Sequence, residues 1–115
     1  MIRRLHTGPR MSQAVIHGTT VYLAGQVADD PSQDVAGQTR QILASIDRLL
    51  DEAGADKTQI LSATIYLAEI GTFAQMNSVW DTWVPQGHTP ARATVEAKLA
   101  APVYKVEIQV IAALR

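Results

Sequence analysis

The chain has 115 residues, 47% hydrophobic and 18% charged, which excludes a disordered or collagen-like polymer. Ten basic against eleven acidic residues give a net charge of −1, which argues against a general nucleic-acid or anionic-membrane binder. The absence of cysteine removes disulfides, thiolate metal sites, cysteine nucleophiles and iron–sulfur clusters together.

Residues 1–115 read as one domain, since no low-complexity stretch, linker or internal repeat divides them. No apolar run approaches the roughly 20 residues of a membrane helix. The basic segment Met1 to His6 has no apolar stretch behind it, so no secretory signal is expected and the expected location is cytoplasmic.

A short strand is expected over 2–6. Residues 12–17 and 20–27 form a second and third strand, joined by a tight turn at His17-Gly18-Thr19. The breakers Asp29-Asp30-Pro31-Ser32 end this region. A helix follows over 35–53, because Val35, Ile42, Leu43, Ile46, Leu49, Leu50 and Ala53 make one helical stripe. Asp34 or Ser32 can cap its start, and Gly54 stands where a C-terminal cap belongs.

In 60–67, Leu61, Ala63, Ile65 and Leu67 alternate with Ser62, Thr64 and Tyr66, which predicts a strand. Thr72 with Gln75 matches a capping box and opens a second helix, with Phe73, Met76, Trp80, Trp83 and Val84 on one face and Pro85 as its stop. Two strands, 91–99 and 105–114, close the chain. The result is an α+β plan with two helices packed on one face of a sheet. In the first closing strand Arg92, Thr94, Glu96 and Lys98 alternate with Ala93, Val95, Ala97 and Leu99; in the second, Lys105, Glu107 and Gln109 alternate with Val106, Ile108 and Val110. The helices are expected on the apolar sides. Two helices cannot also cover the polar side, so it is wet or meets another subunit.

No dinucleotide fingerprint, P-loop or nucleophile elbow is present. His6, His17 and His88 lack the spacing of metal ligands and read as surface residues. Trp80 and Trp83, at i and i+3, read as packing. The cluster Arg3, Arg4, His6 and Arg10 reads as a solvated terminus.

Five short segments remain: Ser12-Gln13-Ala14-Val15, Ala24-Gly25-Gln26, Met76-Asn77, Pro90-Ala91-Arg92 and Val106-Glu107-Ile108. In that order and spacing the chain resembles, over essentially its whole length, the RidA/YjgF family of enamine/imine deaminases. The runs 76–84 and 102–108 resemble its shorter, YoaB-type branch. The resemblance implies a mixed β-sheet with two helices on one face, similar also to the chorismate-mutase-like fold, and a homotrimer whose sheets form a central barrel with sites at the subunit interfaces. It implies hydrolysis of 2-imino acids or their enamine tautomers to 2-keto acids and ammonia, with no cofactor, no metal, no nucleic acid and no membrane.

Under that resemblance Arg92 matches the carboxylate-binding arginine, and a guanidinium fork suits a carboxylate. Glu107 matches the acidic residue that positions or activates water. Gly25 permits close approach to the ligand or marks a strand bulge. Asn77 orients the site or satisfies a buried polar contact. Thr94 stands where the family often has cysteine, as a hydrogen-bond donor. Met11 replaces a common tyrosine and Ala24 a serine, so pocket shape and polarity differ. Each charged residue also has a plain reading as a paired or solvated strand residue. A non-catalytic module of the same shape, binding a small carboxylate to regulate a partner, is the main alternative. A chorismate-mutase-type enzyme would want several cationic groups, and a ribonuclease a basic surface or a histidine pair.

Overall fold

The computed structural model describes residues 1–115. Six strands, β1 (Ile2–Leu5), β2 (Ala14–His17), β3 (Thr20–Leu23), β4 (Ile60–Leu67), β5 (Ala91–Glu96) and β6 (Val106–Ala113), form one mixed sheet in the order β1-β2-β3-β6-β4-β5. Only the β4–β5 pair is parallel. Helices α1 (Val35–Ala53) and α2 (Phe73–Trp83) pack on one face. No helix is long and apolar enough to cross a membrane.

The local devices explain the element ends. Gly18 takes φ 61° at the first residue of the two-residue β2–β3 loop. Asp34, not Ser32, caps α1: its carboxylate accepts from Gly37 N at 2.9 Å. Gly54 closes α1 in the left-handed region (φ 93°), and Ala55 N donates to Leu50 O at 2.8 Å. The expected capping box at Thr72 is absent. Thr72 is the last residue of a 3-10 turn (Ile70–Thr72), so its hydroxyl donates back to Glu69 O at 2.7 Å and is not free to cap α2.

The core lies between the sheet and α1, with Ile42, Leu43, Ile46 and Leu50 against Val21, Ile65, Ile108 and Val110. One buried polar residue, Gln38, ties the flanking loops together. Its amide nitrogen donates to the carbonyls of Pro31, Gln33 and Val103 at 3.0–3.1 Å, and its Oε1 accepts from Lys105 N at 3.0 Å. Gln38→Leu keeps the volume but strands these groups. The expected loss is about 2–5 kcal/mol of stability, read as a lower denaturant midpoint at unchanged slope.

The expected faces of β5 are inverted. Ala63 and Ile65 of β4 point into the core and stand opposite Arg92 and Thr94, so these two lie on the helix side. Ala93 and Val95 fall on the open face, where Val95 is exposed. Alternation defines two faces, but at an edge strand the neighbour's register decides which one the helices take. β6 follows the expectation: Val106, Ile108 and Val110 are buried, and Glu107 and Gln109 face outward.

Candidate functional site

The residues singled out from the sequence fall into two groups, one on each side of the sheet. The first is built on β5 and α2. Arg92 Nη1 donates to Asn77 Oδ1 at 2.8 Å. Its guanidinium carbon lies 5.3 Å from the centroid of Trp80 and 5.7 Å from that of Phe73. Phe73, Asn77 and Trp80 are i, i+4 and i+7 of α2, so one helix face cradles the arginine. Thr94, two residues on, lies on the same side, and its buried Oγ1 has no hydrogen-bond partner within the chain.

The cradle corrects one part of the sequence reading. Phe73 is not a core residue but 40% exposed, while Val79 takes a buried place that the helical stripe did not include. The i, i+4, i+7 spacing of two aromatics around an asparagine was the available signal.

The second group is on the open face. Between Tyr22↔Ile111 and the isolated bridge Gln26↔Ile108, three residues of the β3 side oppose two of β6. That extra residue is a bulge, and Gly25 sits in it. A Cβ on Gly25 would lie 2.1 Å from Glu107 Oε2. The glycine therefore marks a bulge, as one of its two readings expected, and the approach it permits in the chain itself is that of the Glu107 carboxylate. Glu107 lines a shallow depression of about 340 Å³ with Gly25, Tyr66, Lys98 and Gln109. Gly25 also borders a cleft of about 470 Å³ that Met11, Gln13 and Arg48 line.

Neither Arg92 nor Glu107 has an ion-pair partner in the chain. The two ion pairs, His6–Glu52 and Arg115–Asp56, are elsewhere. An Arg92–Glu107 pair within one chain is excluded by their opposite faces. The two carboxyls held below their usual range, Asp30 and Asp56, belong to turns, and each is lowered chiefly by its bond from a hydroxyl two residues on, Ser32 and Thr58. Neither belongs to either group.

Residues 1–114 match the family model described as Endoribonuclease L-PSP, the YjgF/RidA family. The chain belongs to this family. It is 46% identical over 113 residues to the RutC family protein YoaB of Escherichia coli, covering 98% of each chain. It is 35% identical over 107 residues to the 2-iminobutanoate/2-iminopropanoate deaminase of Rattus norvegicus, covering 88% of this chain and 77% of that one. Among solved structures, a YjgF family member from Neisseria meningitidis superposes with a TM-score of 0.98 at 48% identity, over 100% of this chain and 96% of that one.

Proposed function

We propose that the protein hydrolyses reactive 2-imino acids, or their enamine tautomers, to 2-keto acids and ammonia, at sites assembled between copies of the chain in a homotrimer. The observation that carries the proposal is the pair of half-sites. One offers an unneutralised guanidinium fork, the other an unneutralised carboxylate beside a glycine gap, and the sheet separates them within one chain. A neighbouring copy brings one copy's Arg92 to the other's Glu107. Tyr22 on β3, and Val95 with Ala93 on β5, are exposed on the open face and supply apolar area for such an interface. The likeness to the rat deaminase supports the chemistry.

Arg92 then binds the substrate carboxylate through two parallel charge-assisted bonds. Glu107, as carboxylate, takes a proton from water as its oxygen bonds to the imine carbon, and the C=N bond becomes a C–N single bond. The same group returns the proton to nitrogen. In the resulting carbinolamine the same carboxylate takes the hydroxyl proton and passes it to nitrogen; the C–N bond breaks, ammonia leaves, and the carbonyl of the keto acid forms. One water is consumed for each ammonia released. The endoribonuclease description of the family points to RNA, but one arginine facing one carboxylate in each assembled site and a net charge of −1 suit a small anion better than a polyanion.

The test generates imino acids in place with an amino-acid oxidase and traps them with semicarbazide. Added protein is expected to suppress semicarbazone and accelerate keto-acid and ammonia release across part of an amino-acid panel. Keto-acid binding with no change in semicarbazone would favour the non-catalytic carboxylate-binding module.

Gly25→Ala probes the second half-site. Its methyl group displaces the Glu107 carboxylate, which is the free end of a side chain, so the fold is kept. Turnover is expected to fall by at least about tenfold, approaching the roughly 10²–10⁴-fold of losing a positioned acid–base group outright, while the melting temperature changes little. Wild-type turnover in this variant would contradict the placement of Glu107.

A further inference from the structure

The Arg92 half-site contains more than its arginine requires for packing. Of five N–H donors on the guanidinium, one is engaged by Asn77. The remaining stabilisation comes from aromatic faces, Trp80 at 5.3 Å and Phe73 at 5.7 Å. Every one of these partners is uncharged. A carboxylate in the cradle would hold the arginine equally well but would neutralise it and occupy the fork. Asn77 and the two rings hold the cation while leaving its charge and its donors to an incoming anion.

The two rings are not equivalent. Phe73 is half-exposed, whereas Trp80 is 5% exposed and fixed from behind. Trp83 packs against it with centroids 5.3 Å apart at 50°, and Trp83 Nε1 donates to Asp47 Oδ2 of α1 at 3.0 Å. A continuous line therefore runs from Asp47 on α1 through Trp83 and Trp80 to Arg92 on the edge strand. An edge strand has a neighbour on one side only, so an arginine on it needs such a support to keep one orientation.

We infer that Trp80 is a positioning residue for substrate: its indole face, held by Trp83 and Asp47, sets the guanidinium of Arg92 in the orientation that accepts the carboxylate. This rests on the proposed reading of Arg92 as the carboxylate site. Trp80 touches neither the C=N bond nor Glu107, so its effect falls on binding and not on the chemical step.

Two measurements test the inference on the full chain. In the first, Trp80→Leu and Trp80→Phe are compared in the oxidase-coupled assay. Leucine removes the ring, and KM is expected to rise about 3- to 30-fold, the span of a cation–π contact between exposed and desolvated settings. The turnover number should stay within about threefold, because uniform binding is what is lost. Phenylalanine restores a ring face and should recover most of the KM. A residue that serves packing alone would lower the melting temperature in both variants and leave KM at wild type well below that temperature; this result overturns the inference.

The second measurement keeps Trp80 and so does not depend on the leucine variant folding. Trp83→Phe leaves Trp80 as the sole indole and keeps a ring packed against it, while giving up the bond to Asp47, so keto-acid affinity is expected to weaken but remain measurable. Titration with pyruvate or 2-ketobutyrate should change the Trp80 emission saturably, with the midpoint found by calorimetry, and Arg92→Ala in that background should abolish the change. An emission that stays constant while calorimetry records binding overturns the role of Trp80 and leaves the functional reading standing. Absence of keto-acid binding and of turnover in the wild-type protein overturns that reading, and this inference with it.

Discussion

Arg92→Ala is expected to abolish imine hydrolysis while leaving the fold and the assembly intact. The side chain sits on an edge strand and makes one hydrogen bond, to the uncharged Asn77, so no other charge is left unpaired when it is removed. The loss falls on the substrate carboxylate. Truncating one partner of a desolvated charge pair costs about 2–5 kcal/mol, which corresponds to a fall in kcat/KM of about 30- to several-thousand-fold. Arg92→Lys keeps the charge but not the fork, and an ammonium does not fill the cradle of Trp80, Phe73 and Asn77 as a planar guanidinium does. It should therefore rescue poorly. Steady-state kinetics of both variants, with size-exclusion profiles as the control for assembly, check this; a lysine variant that performs like wild type would contradict two-point recognition of the carboxylate.

Glu107→Gln should separate binding from chemistry. The two side chains have nearly the same shape, and Glu107 makes no ion pair that its neutralisation would break. Glutamine fits the gap left by Gly25 and still holds a water. It cannot take the proton of that water or deliver one to nitrogen, so turnover should fall about 10²–10⁴-fold. A keto acid needs neither step. Its affinity through Arg92, read by calorimetry or ligand-detected NMR, should stay within a few-fold of wild type. Full activity would remove Glu107 from the mechanism. Loss of keto-acid binding along with turnover would mean that the glutamate aims the arginine of a neighbouring copy and does not act on water.

Much of this arrangement was readable in the chain. The α1 stripe and its caps at Asp34 and Gly54, the alternation over 63–67, and the Gly18 turn each follow from local rules and stand where expected; Leu61 does not, being 53% exposed while Ile60 is buried, because the β4–β6 register shifts between Ile60 and Ser62. The features that escaped are those that local rules do not contain. The third strand stops at Leu23, not at 27, because the bulge at Gly25 is made by pairing with β6, eighty residues away. Thr72 matches a capping pattern, yet the preceding 3-10 turn takes its hydroxyl. Gln38 looks like one polar residue among several on α1, and only the return of Val103 and Lys105 to its side buries it.

The candidate residues could be named from the chain, but their arrangement could not. Arg92, Asn77, Thr94, Gly25 and Glu107 were all named from sequence, with Arg92, Thr94 and Glu107 expected together on the polar side of the sheet. Alternation within β5 and β6 is compatible with that, but the parallel register with β4 turns Arg92 to the helix side and the antiparallel register of β6 leaves Glu107 on the other. The division changes what the two charges mean. Under the proposed function a single chain carries two incomplete sites, and a head-to-tail ring of identical chains would complete each by joining unlike halves.

That division offers the most direct test of the proposed function. Arg92→Ala and Glu107→Gln chains, each inactive alone, are mixed in equal amounts, unfolded together and refolded, or are co-expressed. In a ring built from unlike halves, a site is wild type when its arginine comes from a Glu107→Gln chain and its glutamate from an Arg92→Ala chain. Random assembly gives each condition a chance of one half, so about one quarter of wild-type deaminase activity should return. If both groups acted within one chain, or if the protein worked as a monomer, no mixture of these variants would form a complete site. Activity that stays at the level of the separate variants, in a mixture shown by mass spectrometry to contain hybrid oligomers, would contradict the account.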